Sequence, residues 1–171
     1  MIITLIIFYS MLSQIENRFS SIESLECEFV ETLDVETGLI DFEGMVYISK
    51  ENSRIDVNKP DEQIIIINKD SVFIYIINDN RLEKNLAPFS LSHLLYNPSD
   101  YYMIDSITND WLFLSPKNNV YLYSISLLLN NEYLPKKLQF MEEGMQGRFY
   151  FFNYKLNPEL PKDFFTPNFL K

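Results

Sequence analysis

Residues that commonly carry chemistry are scarce in this sequence. Cys27 is the single cysteine and His93 the single histidine among 171 residues. One cysteine can form neither an internal disulfide nor a thiolate metal cluster, and one histidine excludes a multi-histidine metal centre. We therefore interpret Cys27 as a small apolar residue on a strand and His93 as a partly buried polar residue.

Neighbouring carboxylates occur, but their positions indicate a solvated surface rather than a reaction centre. Glu26 and Glu28 share one face of a predicted strand, and Glu142 and Glu143 fall in a predicted turn. A spatial pair of carboxylates could serve a glycosidase, yet nothing else in the sequence indicates one. The G-x-S-x-G, H-E-x-x-H, G-x-G-x-x-G and Walker A patterns are missing, and there are only 4 glycines. We predict a protein that is not an enzyme and uses no cofactor and no metal.

Composition and charge limit the classes of partner. Apolar residues make up 47% and charged residues 22% of the chain, which is typical of a globular domain. The net charge is −10, from 24 acidic and 14 basic residues. Binding to nucleic acid or to an anionic membrane surface depends on clustered Lys and Arg, so we predict no nucleic-acid partner. The length suits one domain, which we assign to residues 13–171.

The first residues are strongly apolar. Residues 2–12 read IITLIIFYSML, a run too short to span a bilayer but as long as the h-region of a signal peptide. No Lys or Arg precedes it, and no convincing cleavage site follows. Residues 1–12 are therefore interpreted either as such an h-region, which implies export, or as the start of the first helix.

Hydrophobic periodicity predicts one helix followed by many antiparallel strands. Ile15, Phe19 and Ile22 recur at helical spacing within residues 13–24, and the period then changes to two in LECEFVETLDV. Short polar turns between the following apolar runs make them antiparallel neighbours. We predict five or six strands, a short helix in PFSLSHLLYN that ends at Pro98, four more strands from Trp111, and an irregular tail.

Several predicted strands are apolar on both faces. The runs IIIIN, SVFIYII and RFYFFNY do not alternate cleanly, which is unexpected for an antiparallel sheet with one wet face. Either helices cover one face and a second layer covers the other, or the sheet curls around a space that holds something apolar. A well-filled sandwich or barrel core is the simpler alternative.

The order of these segments resembles the LolA family of outer-membrane lipoprotein carriers, from roughly Leu12 to Pro167. CEFVET is similar to the family's F-x-Q strand, with Glu31 where a Gln is usual. EGMVYISKENSRIDVNKPDEQIIIINKDSVFIYI resembles the family's strand-rich stretch. LSPK at 114–117 and EEGMQGRFYFFNYKLNPELPKDFFTP resemble its closing hairpin and final Phe-x-x-Pro.

The resemblance implies an α+β fold, an incomplete (half-open) antiparallel β-barrel with a helical lid. It also implies a periplasmic chaperone that binds the acyl chains of lipoproteins released from the inner membrane and delivers them to the outer membrane. The implied partners are acylated lipoproteins, an inner-membrane LolCDE-type ABC transporter and, in some bacteria, a LolB-type acceptor. The extra C-terminal strand of some relatives is expected to be absent, so use of a LolB-type acceptor stays open. The carrier is expected to be a monomer.

Strand parity and the resemblance together predict the residues that would contact lipid. The predicted latch is Lys50, at the position of a family arginine that holds the lid closed, or Arg54; a lysine cannot reproduce the guanidinium fork. The predicted lid residues are Phe89, Leu91, Leu94 and Leu95. The predicted cavity residues are Ile40, Phe42, Val46, Ile48, Ile55, Val57, Ile65 and Phe73. For each of these apolar residues, ordinary core packing is the alternative.

Two other functions remain open at this point. The chain could carry or sense another amphiphile, such as a glycolipid or a fatty acid. It could also be a non-carrier interaction module whose core is filled by its own side chains. Binding of acyl chains separates both carriers from the filled module, and the identity of the bound lipid separates the two carriers.

Overall fold

The computed structural model describes residues 2–68, 71–87, 90–117, 124–142 and 145–169. Within these ranges a long helix precedes six strands, two short helices and five further strands. The helices are α1 (Ile2–Ser20), α2 (Leu91–Tyr96) and α3 (Pro98–Tyr101). The strands are β1 (Ser24–Val35), β2 (Gly38–Ser49), β3 (Asn52–Lys59), β4 (Gln63–Asn68), β5 (Ser71–Ile76), β6 (Arg81–Leu86), β7 (Tyr102–Thr108), β8 (Trp111–Pro116), β9 (Ser124–Leu129), β10 (Pro135–Glu142) and β11 (Met145–Leu156).

All the strands in the described ranges belong to one antiparallel sheet. Their order is β6-β5-β4-β3-β2-β1-β11-β10-β9-β8-β7, so the first strand of the chain lies in the middle beside the last. The strands β6 and β7 each have a neighbour on one side only. The sheet is therefore not closed, which agrees with the prediction of a half-open barrel.

Strict alternation in β1 positions the centre of the sheet. Leu25, Cys27 and Phe29 are buried, and the residues between them lie on the other face. β1 pairs with β2 over its whole length, from Ser24 opposite Ser49 to Val35 opposite Gly38. Gly38 has φ +132°, a conformation that side chains disfavour, so glycine suits the start of β2.

The helices cover one face of this sheet. Ile15, Phe19 and Ile22 are almost fully buried, as predicted. Ile15 and Phe19 lie on α1, whereas Ile22 follows the end of the helix. α1 and α2 share one hydrophobic core with side chains from β1–β3 and from β7–β11. Strands from both halves of the sheet thus pack around the same helices, so we call the face that they cover the concave face and the other the convex face.

The described helices can be set against the predicted segments, and one strand was missed. α1 runs from Ile2 to Ser20, so it includes the apolar run and ends before Ser24. α2 ends at Tyr96, before Pro98 as predicted, and Pro98 then opens the further short helix α3, where a first-turn N–H is not needed. β7 was not predicted, because an irregularity between Ile104 and Ser106 breaks its alternation. None of the described helices has the length and hydropathy required to cross a membrane.

Candidate functional site

Cross-strand pairing shows which side chains share the concave face. Cys27 lies opposite Val46, Val46 opposite Ile55, and Ile55 opposite Ile65. Side chains directly opposite one another point to the same side of a sheet. These four residues therefore form one apolar row that crosses β1, β2, β3 and β4.

The concave face has two zones that differ in exposure. In the covered zone, under α1 and α2, the side chains are buried: Leu25, Cys27, Phe29, Val46, Ile48 and Val57. In the second zone, which we call the open zone, the apolar side chains keep contact with water: Leu33, Val35, Ile40, Phe42, Ile55 and Ile65. Ile40 is 37% exposed. The open zone is thus an apolar wall on which a further apolar group could be buried.

The predicted cavity residues divide between these zones. Ile40, Phe42, Ile55 and Ile65 lie in the open zone, whereas Val46, Ile48 and Val57 are packed in the covered zone. The assignment of Phe73 to this face is wrong, because it pairs with Ile66 while Ile65 pairs with Ile74. A displacement of one residue moves a side chain to the other face, and the β4–β5 hairpin is apolar on both, so the sequence could not fix its parity.

In this conformation the predicted lid packs against the hydrophobic core. Leu91, Leu94 and Leu95 of α2 are buried in the shared core, and Phe89 lies outside the described residues. The ring of Phe19 in α1 meets the ring of Tyr96 edge-on, with centroids 5.3 Å apart.

A polar contact completes the link between the three helices. The Ser99 backbone N–H of α3 donates to the Glu16 carboxylate of α1 at 3.1 Å, and the Ser99 hydroxyl donates to the same oxygen. These contacts join α1, α2 and α3 into one covering layer.

Lys50 lies beside this layer. It lines a cleft of about 560 Å³ together with Glu16, Tyr96 and Asp100. Its ammonium is exposed and makes no hydrogen bond or ion pair with any described residue. Its position next to the helices is compatible with a latch, and that role stays a prediction.

Arg54 does not act on the lid, so the prediction of a latch at this position is wrong. It pairs with Tyr47 and Ile66 on the convex face. Its guanidinium donates to the Asp56 carboxylate at 2.7 and 3.2 Å and to the Phe164 carbonyl at 3.1 Å. The guanidinium carbon also lies 4.3 Å from the centroid of the Phe164 ring. Arg54 therefore holds the C-terminal segment against the outside of the sheet.

We expect Arg54→Leu to release this segment. The change removes a charge-assisted hydrogen bond and a cation–π contact and leaves Asp56 without its partner, so the free energy of unfolding should fall by about 2 kcal/mol. Limited proteolysis should then cut near Phe164 first. Arg81→Leu is the control, because the exposed Arg81–Glu83 pair contributes little. Equal protease sensitivity of the two variants would contradict the assignment.

Cys27 is packed in the hydrophobic core, and the His93 ring packs against another aromatic ring. Burial raises the pKa of the Cys27 thiol to about 12, so it stays protonated and unreactive. The His93 ring stacks on Tyr101, with centroids 3.7 Å apart. Among the described residues no group of His, Cys, Asp and Glu could hold a metal ion.

Glu31 is a carboxyl group on the concave face that was not among the predicted site residues. It lies opposite Phe42 of β2 and opposite Phe149 of β11. It makes no hydrogen bond or ion pair with any described residue, and burial raises its pKa to about 7. The signal was present in LECEFVETLDV, where alternation places Glu31 in line with the buried Cys27 and Phe29.

The raised pKa of Glu31 predicts a pH-dependent stability. A carboxyl whose pKa is about 7 in the folded chain and near 4.5 when unfolded stabilises the fold at low pH. This contribution is lost as the pH rises through 7, because ionisation of the half-buried group among apolar side chains is unfavourable. Glu31→Gln should therefore become more stable relative to the wild type by about 2 kcal/mol between pH 4.5 and 8. Urea unfolding at both pH values measures the difference, and an unchanged difference would contradict the burial.

Known proteins were compared with the chain by sequence and by fold. Residues 20–168 match the family described as "Outer membrane lipoprotein carrier protein LolA". A LolA superfamily protein from Nitrosomonas europaea is 14% identical, with a TM-score of 0.59 over 95% of this chain and 99% of that one. A DUF1329 family protein from Desulfovibrio piger is 11% identical, with a TM-score of 0.64 over 98% and 99%. No curated protein matches the chain. The two solved structures support the fold.

Proposed function

We propose, from the premise that this chain belongs to the LolA family of outer membrane lipoprotein carriers, that it shields the acyl chains of lipoproteins from water. The observation that carries the proposal is the open zone, where apolar side chains of a central sheet remain partly exposed beside a helical cover. Contact with an acyl chain would remove these apolar side chains from water, which is favourable. The proposed contact residues are Ile40, Phe42, Ile55 and Ile65.

The need for such a wall follows from the cost of exposing lipid. Each methylene that stays in water costs about 0.8 kcal/mol, so an acyl chain cannot cross an aqueous compartment unshielded. The carrier must also release its cargo. A partly exposed wall serves both needs, because it offers apolar area without the interlocked packing of a filled core.

The helical layer would act as the lid. In the present conformation Leu91, Leu94 and Leu95 occupy the covered zone, above Val46 and Ile48. Movement of α2 and α3 away from the sheet would join this zone to the open zone and enlarge the apolar surface. Return of the helices would compete with the bound acyl chains and favour their release. In this proposal, the affinity for lipid depends on the difference in free energy between helices packed on the sheet and acyl chains packed on it.

The wider pathway is part of the proposal. The chain would work in the periplasm, where it takes acylated lipoproteins from a LolCDE-type ABC transporter and carries them to the outer membrane. The ATP-driven transporter would supply the energy, so the carrier needs no nucleotide site. The two solved structures contribute only their fold to this argument, because both are distant in sequence.

A binding experiment tests the proposal. The purified protein is titrated with a fluorescent fatty acid, and a triacylated lipopeptide is then added as a competitor. We expect saturable binding of the fatty acid and its displacement by the lipopeptide. Binding without displacement would favour a carrier of another amphiphile. No binding by the folded protein would favour an interaction module with a filled core and would contradict the proposal.

A further inference from the structure

Glu31 lies on the concave face of the sheet, where β1 is flanked by β2 and β11. Among the described residues of these three strands, it is the one carboxyl group on that face. Its neighbours across the sheet are Phe42 and Phe149. The next residues of β1 on the same face are Phe29, which is buried, and Leu33, which is half-buried. Four apolar side chains therefore surround a group that water solvates far better than carbon does.

No positive charge compensates this carboxyl among the described residues. Arg148 of β11 pairs with Thr32 and so lies on the convex face. Lys59 forms its ion pair with Glu43, which also points away from the concave face. The pKa of Glu31 is raised by burial alone, which agrees with the lack of a nearby cation.

We propose that Glu31 is the polar recognition point of the lipid site and that it selects acylated ligands with a protonated amino group beside their acyl chains. This inference rests on the proposed function, because it requires that acyl chains lie on the open zone next to Phe42. An ammonium group supplies a positive charge and hydrogen-bond donors, and no described residue gives the carboxylate either. An N-acylated or anionic ligand lacks the positive charge.

The environment makes this contact strong. An ion pair gains energy in an apolar surrounding, and a hydrogen bond between ammonium and carboxylate is about twice as strong as one between neutral groups. The acyl chains already fix the position of the ligand on the wall. The ion pair therefore forms without the loss of conformational entropy that a long protein side chain would incur. Binding of the cation would also keep Glu31 ionised at neutral pH.

Two kinds of molecule carry this chemistry. One is a diacylated lipoprotein, whose N-terminal cysteine keeps a free α-amino group. The other is an aminophospholipid, whose head group carries a primary amine. Both place an ammonium within a few bonds of two acyl chains, so the experiment needs an arm for each.

The test compares ligands that carry a free amino group with matched ligands that do not. The first pair is a diacylglyceryl-cysteine peptide with a free amino terminus and the same peptide with an N-acetyl group. The second pair is short-chain phosphatidylethanolamine and phosphatidylglycerol below their micelle concentrations. The dissociation constant of each is measured at pH 7 by calorimetry. We expect the free amine of at least one pair to bind about tenfold more tightly than its matched ligand.

Variants assign the preference to Glu31. Glu31→Gln keeps the shape of the side chain and should reduce the preference to about twofold or less. Glu28→Gln is the matched control, because Glu28 lies on the convex face of the same strand and accepts a hydrogen bond from the Asn153 amide at 2.9 Å. It should keep the full preference. If Glu31→Gln fails to fold, Glu31→Asp, which retains the charge, should keep part of it.

The outcomes separate this inference from the proposed function. Equal binding of the amine and matched ligands by the wild type would overturn the role of Glu31 but leave the carrier intact. A preference that survives in Glu31→Gln would overturn it as well. Failure of the wild type to bind any of the four ligands would instead contradict the proposed function. A preference in the peptide pair alone indicates a lipoprotein ligand, and one in the phospholipid pair alone indicates an aminophospholipid.

Discussion

Phe42→Glu is expected to weaken the binding of a fluorescent fatty acid at least about tenfold, because it places a charge on the apolar wall where the acyl chain would lie. Phe42 is half-buried on the concave face, next to Glu31. A second carboxylate there would repel the first and would have to be desolvated by the ligand. Fluorescence titration measures the loss, and circular dichroism shows whether the variant is folded.

Phe73→Glu is the matched control for this change. Phe73 is also a half-buried phenylalanine on a strand, but its pairing with Ile66 places it on the convex face. The Lys84 ammonium lies 5.4 Å from its ring centroid and can pair with the new carboxylate. Fatty-acid affinity should therefore change by about twofold or less. Equal losses in the two variants, or none in either, would contradict the assignment of the site to the concave face.

Gly44→Ala should cost about 3 kcal/mol of folding free energy, the upper end of the range for overpacked cores. A Cβ atom at this position would clash with the backbone carbonyl oxygen of Asp56 and would lie 3.0 Å from the Phe29 ring. The obstacle is backbone of β3, where the pairing with β2 is irregular between Glu43 and Gly44. The strands would have to separate, so the loss should be large.

Gly147→Ala offers a comparison with a different obstacle. The atoms that a Cβ would meet there belong to the Phe140 ring. Phe140 is only half-buried, so its ring can rotate away more easily than a backbone can move. We expect a loss of about 1 kcal/mol, clearly smaller than that of Gly44→Ala. Urea unfolding of both variants measures the order, and the reverse order would contradict this packing.

Hydrophobic periodicity correctly predicted the elements that have one buried face and one solvent-exposed face. The helical stripe was correct for Ile15 and Phe19, and so was the alternation in β1, because each element buries a single face. Phe73 was misplaced for the opposite reason, since β4 and β5 carry apolar residues on both faces. Parity cannot be read from a strand whose two faces look alike.

Contacts between distant parts of the chain were not predictable in this way. Arg54 and Phe164 are 110 residues apart, and nothing in either segment shows that they meet on the convex face. The tail also stacks Phe169 on Tyr75, with centroids 4.9 Å apart. These pairings depend on where the whole sheet places its outer surface.

Glu31 lies between these cases. Its place on the concave face followed from alternation, and its departure from the family's usual Gln was visible in CEFVET. Its lack of a partner among the described residues was not visible, because that depends on which residues β2 and β11 bring beside it. Alternation thus indicates the face that carries the carboxyl, and the fold shows that no described residue pairs with it.

Transfer of a lipoprotein out of a membrane tests the central claim most directly. Spheroplasts or inner-membrane vesicles loaded with a labelled lipoprotein are incubated with the purified protein, and the soluble fraction is examined for a complex. The proposal predicts a soluble one-to-one complex with the wild type and with Phe73→Glu, and none with Phe42→Glu. A label that stays in the membrane although the folded wild type binds a fatty acid would contradict a role in lipoprotein transport.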